Sequence, residues 1–130
     1  MSAVMLGALS YMSASSQSIY PAEVERWRAL VLEVFPEDEV HDVLSVMECE
    51  SYGDPSVRYM EEWGQESVGL LQINEGWLTG WGDEEWAVRG HDGQSVNLED
   101  PSTNLRAAAF IRHYERVNEK DDWSQWACQP

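Results

Sequence analysis

The strongest constraint on the fold is an amphipathic segment that starts at Asp100-Pro101. Its apolar residues recur every three to four positions, at Ala107, Phe110, Ile111, Tyr114 and Val117. This spacing places them on one face of an α-helix. We predict that four basic residues lie off this face, namely Arg106, Arg112, His113 and Arg116. A long helix with one apolar face must pack against other elements, so the segment indicates a mainly α-helical domain.

Two further helices are predicted upstream. The stretch from Pro21 to Phe35 carries apolar residues at helical spacing, with Pro21 suited to a first turn. After Pro36, acidic residues 37–39 suit a helix N-terminus. The apolar residues that follow mark one face of a second helix that ends near Ser51, and they are Val40, Val43, Leu44 and Met47.

The segments between and after these helices are irregular. Residues 52–66 are predicted as a loop or short hairpin, and the apolar run Gly69–Ile73 is too short to be assigned as strand or helix. Gly76–Gly93 combines five glycines with Trp77, Trp81 and Trp86, which favours a shaped surface loop. Residues 121–130 contain Trp123, Trp126 and Cys128, so we expect this tail to fold back and dock. Trp27, Trp123 and Trp126 are predicted in the core.

The domain organisation and charge exclude several function classes. We expect one domain over residues 19–130, preceded by a segment 1–18 that is a tail or a signal-like sequence without a basic start. The chain has 24 acidic and 8 basic side chains in 130 residues, a formal charge of −16. Such an acidic protein is a poor partner for nucleic acid or an anionic membrane. No apolar run reaches the ~20 residues of a membrane span.

The cysteines and histidines of the chain do not have the spacing of a known metal-binding motif. Cys49 and Cys128 are 79 positions apart, and either a disulfide or two buried thiols is compatible with that separation. His41, His91 and His113 have no ligand-like spacing with each other or with the cysteines. We therefore predict no metal and no cofactor.

One acidic residue has a position suited to proton transfer. At 100° per residue, Glu50 falls beside Val43 at the border of the apolar face of the second helix. A carboxyl group at the edge of an apolar wall has its charged form destabilised, so it stays protonated to higher pH and can donate a proton. Glu50 is therefore a candidate general acid.

The neighbours of Glu50 form an ordered set of motifs. They are Cys49-Glu50-Ser51-Tyr52-Gly53-Asp54-Pro55, Ser67-Val68-Gly69-Leu70-Leu71-Gln72-Ile73-Asn74, Asp100-Pro101 followed by Asn104-Leu105, and Trp123-Ser124-Gln125-Trp126-Ala127-Cys128. Over residues 38–128 this order resembles the soluble lytic transglycosylase and goose-type lysozyme superfamily, particularly its short bacterial and phage members. The resemblance implies a lysozyme-like fold, mainly α with a short irregular β region, and cleavage of the β-1,4 bond between N-acetylmuramic acid and N-acetylglucosamine in peptidoglycan.

The resemblance also assigns residues. It implies that Glu50 is the catalytic acid, that Cys49 and Cys128 form a disulfide, and that sugar is bound by further residues. We expect these to be Ser51, Ser67, Gly69, Gln72, Asn74, Trp77, Trp81 and Tyr114. Asp100 and Asn104 match the family pattern too, but a helix cap and a buried amide are the preferred roles for them. The family's Ala-Tyr-Asn-Ala-Gly segment is absent, so the position of its tyrosine is open to Tyr114, Tyr52 or Tyr59.

Two mechanisms and two other functions remain open at this stage. A single acid suffices where the substrate's own groups complete the reaction and give a 1,6-anhydro product, whereas hydrolysis requires a second carboxylate to position water. The candidates for that carboxylate are Glu61, Glu62, Glu66, Asp83 and Asp92. The alternative functions are an inactive glycan-binding or virion structural module and a chitin or chitosan hydrolase. We expect a monomer that acts on glycan strands outside the cytoplasm, in an extracellular, periplasmic or virion-associated location.

Overall fold

The structure is a computed structural model that describes residues 19–79 and 96–130. The segment 1–18 and the predicted loop residues Trp81, Asp83, Trp86, His91 and Asp92 lie outside these ranges. Within them, no helix is long and apolar enough to cross a membrane.

Five α-helices and a small antiparallel sheet make up the described residues. The helices are α1 (Ala22–Glu25), α2 (Arg28–Val34), α3 (Val40–Ser51), α4 (Gly76–Thr79) and α5 (Pro101–Val117), with a 3-10 turn at Glu37–Glu39 before α3. The strands are β1 (Arg58–Met60), β2 (Glu66–Val68) and β3 (Ile73–Asn74), in the order β1-β2-β3. The expected mainly α architecture with a short β region is confirmed.

The first predicted helix is divided into two. The continuous helix expected from Pro21 to Phe35 is interrupted at Arg26 and Trp27, where the Trp27 backbone N–H donates to the Val24 carbonyl only three residues back, at 3.0 Å. The Trp27 indole N–H donates to the Gly53 carbonyl at 2.8 Å. This contact with the turn after α3 is tertiary, so the periodicity of the segment does not reveal the break. Trp27 packs at the edge of the core and is half-buried.

The core lies where α2 packs against α3 and α5. Val31 of α2, Leu44 of α3 and Ile111 of α5 are essentially inaccessible to solvent. Each buried side chain of this size contributes ~1.5–3 kcal/mol relative to an exposed one. The apolar stripe predicted for the second helix, and that of the last helix as far as Tyr114, are therefore the surfaces that hold the helices together. The prediction fails at Val117, which is 64 % exposed at the end of α5.

The start of α5 fixes the chain around Gly69. Asp100 caps the helix because its carboxylate accepts the Thr103 N–H at 2.9 Å. One turn later the fully buried Asn104 accepts from the Leu71 N–H and donates to the Val68 and Leu98 carbonyls, all within 2.9 Å. Gly69 has φ +81°, and a Cβ there would lie 2.4 Å from the Asn104 amide nitrogen. The cap and the buried amide predicted from the sequence are confirmed.

One basic residue of α5 is not where the helical pattern placed it. Arg112 is only 5 % exposed. Its guanidinium pairs with Glu39 and Asp122 and lies 4.5 Å from the centre of the Trp123 ring. The 3-10 turn and the C-terminal residues cover this side of α5 and supply both acids, so the prediction that Arg112 lies off the packed face is wrong. Arg106, His113 and Arg116 are exposed as expected.

The C-terminal tail, residues 121–130, folds back against α3, α5 and the turn before β3. Trp123 and Trp126 are 5 % and 6 % exposed, with ring centres 5.0 Å apart in an edge-to-face arrangement. The Trp126 indole N–H donates to the Leu71 carbonyl at 2.7 Å. A disulfide joins Cys128 to Cys49, with the two Cα atoms 6.0 Å apart. The docked tail and the core positions of both tryptophans are confirmed.

Candidate active site

An open cavity of about 640 Å³ runs between the sheet, α5 and the C-terminal tail. Glu50, at the end of α3, lines it from one side. The other lining residues come from the sheet region (Val57, Arg58, Tyr59, Glu61, Trp63, Ser67, Gln72, Ile73, Asn74), from α4 and α5 (Trp77, Ile111, Tyr114, Glu115), and from the residues after α5 (Lys120, Gln125, Trp126, Ala127). A cavity of this size with carboxyl, amide and aromatic groups on its walls suits a polar ligand with flat faces.

Glu50 occupies a half-buried position in this cavity. Burial raises the pKa of its carboxyl group, the charge of Glu61 raises that pKa further, and the Cys128 backbone N–H, which donates to Oε2 at 3.1 Å, partly offsets both effects. The net direction is upward. A carboxyl group with a raised pKa keeps its proton at higher pH than an exposed glutamic acid, which is the requirement for a general acid.

Glu61 is a second carboxylate in the lining. It follows β1 and begins the turn to β2, where its N–H donates to the Gln65 carbonyl at 2.9 Å. The Ser67 hydroxyl donates to Glu61 Oε2 at 2.7 Å, and the Asn74 side-chain amide donates to the same hydroxyl oxygen at 3.3 Å. Because Ser67 and Asn74 are Cα partners across β2 and β3, the sheet fixes this chain of hydrogen bonds.

The other predicted carboxylates stand apart from Glu50 or lie outside the described residues. Glu62 is exposed and does not line the cavity. Glu66 pairs with Arg58 at 2.8 Å, and Arg58 is also bound by Glu99 at 2.6 Å. Asp83 and Asp92 are not among the described residues. Of the three predicted carboxylates that the structure describes, Glu61 is the one that shares the cavity with Glu50.

Several predicted sugar-binding residues line the cavity, and two do not. Ser67, Gln72, Asn74, Trp77 and Tyr114 are in the lining, and the rings of Trp77 and Tyr114 meet edge to face with centres 5.8 Å apart. Trp81 lies outside the described residues. The remaining two predicted residues, Ser51 and Gly69, are absent from the lining and have contacts within the fold.

Ser51 and Gly69 shape the backbone beside the site. The buried Ser51 hydroxyl donates to the Leu70 carbonyl at 2.8 Å and accepts the Gly53 N–H at 3.1 Å, which joins the end of α3 to the turn before β3. Gly69 provides the close approach to Asn104. Gln72, although in the lining, uses its side-chain N–H groups on the Val57 and Gly69 carbonyls at 3.0 and 3.1 Å. The geometry gives these residues contacts that stabilise the cavity wall.

The three candidates for the family's tyrosine differ in their position relative to the cavity. Tyr114 and Tyr59 line the cavity, whereas Tyr52, the left-handed residue that ends α3, is exposed and does not. Tyr59 is 60 % exposed and Trp63 is 64 % exposed, so both present open aromatic faces at the sheet side of the cavity. Aromatic faces of this kind can pack against the apolar faces of sugar rings.

Sequence reasoning did not identify Glu115, Lys120 or Trp63 as site residues. Glu115 lies one helical turn after Ile111, so its spacing places it on the packed face of α5, and it is 1 % exposed. Lys120, the chain's single lysine, forms no ion pair with the residues that the structure describes. Within the same residues no group of three or more His, Cys, Asp or Glu side chains is arranged to hold a metal ion.

The arrangement of helices around this cavity has a counterpart among solved structures. A lysozyme from Litopenaeus vannamei matches with a TM-score of 0.60 and 18 % sequence identity, and the match covers 85 % of this chain and 84 % of that one. The chain has a lysozyme fold. No protein-family model and no curated protein sequence matches it. The lysozyme fold therefore rests on the structural match, on the docking of α2 against α3 and α5, and on the three-stranded sheet beside them.

Proposed function

We propose that this protein cleaves the β-1,4 glycosidic bond between N-acetylmuramic acid and N-acetylglucosamine in peptidoglycan, with Glu50 as the general acid. The observation that carries the proposal is the half-buried Glu50 carboxyl, whose pKa is raised, in an open cavity with aromatic and amide walls. Protonation of the leaving oxygen is the step for which a carboxyl in this environment is suited. The lysozyme fold and the motifs around Glu50 support the same function.

Glu61 is proposed as the second carboxylate, so that the reaction is hydrolysis. Both carboxyl groups line one cavity, and the charge of Glu61 contributes to the raised pKa of Glu50. The Ser67 hydroxyl fixes one oxygen of Glu61 and leaves the other available to a water molecule or to the developing positive charge on the sugar. A residue held in this way loses little conformational entropy when the substrate binds.

Lys120 supports an anionic glycan as the substrate. In a chain with a formal charge of −16, a cation in the cavity lining is unusual. The other cation of the lining, Arg58, is engaged by Glu66 and Glu99. We propose that Lys120 binds the carboxylate carried by muramic acid or its peptide. A Lys120→Met change should then reduce turnover on peptidoglycan at low substrate and leave turnover on neutral chitin oligosaccharides unchanged.

The experiment that tests the proposed function is mass spectrometry of the soluble products from purified peptidoglycan. Products with a reducing muramic acid end are expected from the wild type and none from Glu50→Gln. Products that end in 1,6-anhydromuramic acid would mean that the protein is a lytic transglycosylase. Intact glycan at both low and high salt would contradict the proposal and favour a glycan-binding module. Turnover that is faster on chitosan than on peptidoglycan at matched ionic strength would favour a chitin or chitosan hydrolase.

The Cys49–Cys128 disulfide supports a location outside a reducing cytoplasm. Structural disulfides persist in oxidising compartments. We propose that the protein works in an extracellular, periplasmic or virion-associated location, where peptidoglycan is accessible.

A further inference from the structure

The C-terminal tail is attached to the site at two levels. Its first half is held by α5 and by the turn before β3. Glu115 Oε2 accepts from the Ser124 hydroxyl at 2.6 Å and from the Gln125 side-chain amide at 3.1 Å, and Trp126 bonds the Leu71 carbonyl at 2.7 Å. Residues up to 126 are therefore fixed by contacts that do not involve the disulfide.

The second half is attached to the proposed catalytic acid. Cys128 is bonded covalently to Cys49, the residue immediately before Glu50, and its backbone N–H donates to Glu50 Oε2 at 3.1 Å. The same tail residue is thus bonded both to the side chain of the residue before Glu50 and to the Glu50 carboxyl group itself. A disulfide that served stability alone would not need to place a hydrogen-bond donor on the adjacent side chain.

The donor determines which oxygen of Glu50 carries the proton. A backbone N–H bonds best to the carbonyl-type oxygen of a protonated carboxyl group, so Oε2 serves as the acceptor and Oε1 carries the acidic hydrogen. Without this donor the proton could occupy either oxygen and the side chain could rotate. A displacement of ~1 Å in a reacting group can cost about 100-fold in rate.

We propose that Cys128 is a positioning residue, and that the Cys49–Cys128 disulfide holds its N–H on Glu50 so that the acid presents its proton in one orientation. This inference rests on the proposed role of Glu50. Exchange with a dithiol transfers two electrons to the disulfide, which yields two cysteine thiols and an oxidised, cyclic dithiol. Reduction should therefore impair the acid while Trp126 and Glu115 still hold the rest of the tail.

The test compares the oxidised protein, the protein reduced with dithiothreitol, and Cys49→Ser/Cys128→Ser, all below the unfolding temperature of each. We expect kcat to fall about tenfold or more in both altered forms, with KM changed less than twofold. The Cys128 N–H lowers the pKa of Glu50, and burial, which raises it, persists. The alkaline limb of the kcat profile should therefore move to higher pH. Dithiothreitol should have no effect on the double serine variant, which controls for other effects of the reagent.

A second readout is independent of the substrate. Carbon-13 NMR of the Glu50 side-chain carboxyl should show a higher pKa after reduction, with the helical circular dichroism unchanged. Unchanged kcat and an unchanged Glu50 titration in the folded, reduced protein would overturn the inference, because the disulfide would then serve stability alone. Absence of glycan cleavage by the oxidised protein would contradict the proposed function instead, and the NMR titration would still decide the positioning of Glu50.

Discussion

Glu50 and Glu61 line the same cavity, but two different parts of the molecule prepare them. Glu50 is half-buried at the end of α3 and receives a backbone N–H from the tail, and its pKa is raised by burial. Glu61 lies at the end of β1 and receives a hydroxyl group that the neighbouring strands hold. Two residues of the same type thus stand in different surroundings, and under the proposed function this difference makes Glu50 the proton donor and Glu61 the water-binding partner.

The largest effect is expected from Glu50→Gln, which removes the proton and keeps the shape. General acid catalysis contributes ~10²–10⁴-fold, so kcat on labelled peptidoglycan should fall by that factor. The amide can still accept from the Cys128 N–H, so the thermal unfolding temperature should stay close to that of the wild type. If Glu50→Gln retained most of the activity, Glu50 would not be the proton donor, and the proposed difference in role between Glu50 and Glu61 would be wrong.

Glu61→Gln should have the next largest effect. Loss of the second carboxylate should reduce the yield of reducing-end products by about 10²-fold, as for a missing general base. Any remaining products should carry 1,6-anhydromuramic acid, because the substrate's own groups then complete the reaction. The matched control is Glu62→Gln at the exposed neighbouring position, which should behave as the wild type. Equal activity of the two variants would mean that Glu61 has no role in the chemistry.

Ser67→Ala tests the connection from the sheet to Glu61. It removes the hydroxyl donor and leaves the carboxylate in place, and a hydrogen bond of this kind is worth ~1–2 kcal/mol. The expected result is a fall in kcat of about five- to thirtyfold, with little change in KM. Ser56→Ala, which removes an exposed hydroxyl bonded to Asp54, is the control. A larger loss in the control than in Ser67→Ala would argue against the sheet as the support for Glu61.

Trp63→Ala should give the smallest effect on the chemistry. The Trp63 ring is largely exposed at the sheet side of the cavity, so its removal should not destabilise the fold. If the ring packs on a sugar, KM should rise about three- to tenfold and kcat should stay within twofold. Steady-state kinetics on soluble glycan strands measure both constants. A fall in kcat with unchanged KM would place Trp63 in the catalytic geometry and not in binding.

Some features of the fold are determined by residues that are close together in the chain, and others by contacts with distant residues. The sequence predicts the first kind and not the second. Helix α5 and its Asp100 cap depend on residues close together in the chain, so spacing and capping rules predict them. The buried amide of Asn104 is expected from the family pattern, and it bonds to Val68 and Leu71, which are 36 and 33 positions away. Arg112 and Glu115 lie on the same helix, but their burial depends on partners contributed by the 3-10 turn and by the tail. Helical spacing marks the face of Glu115 and gives no information about the acids that surround Arg112.

The candidate site divides in the same way. The position of Glu50 at the edge of an apolar face, and its pairing with the ordered motifs, could be predicted from the sequence. That Glu61 lines the cavity while Glu62 and Glu66 do not could not be predicted, because it depends on the antiparallel register that places Ser67 and Asn74 beside each other. The contact between Cys128 and Glu50 depends on how the tail docks, which only the assembled core determines.

The central claim is that Glu50 is the proton donor and that burial keeps it protonated. Its most direct test is the pH dependence of kcat on purified peptidoglycan, measured together with the carbon-13 NMR titration of the Glu50 carboxyl. Because the acid form is active and its pKa is raised, activity should persist above the pKa of an exposed glutamic acid. It should then fall as the pH rises through the pKa that NMR assigns to Glu50. A fall in kcat at a pH that differs from the NMR pKa of Glu50 would contradict the account. Undiminished activity of Glu50→Gln with the same pH profile would contradict it as well.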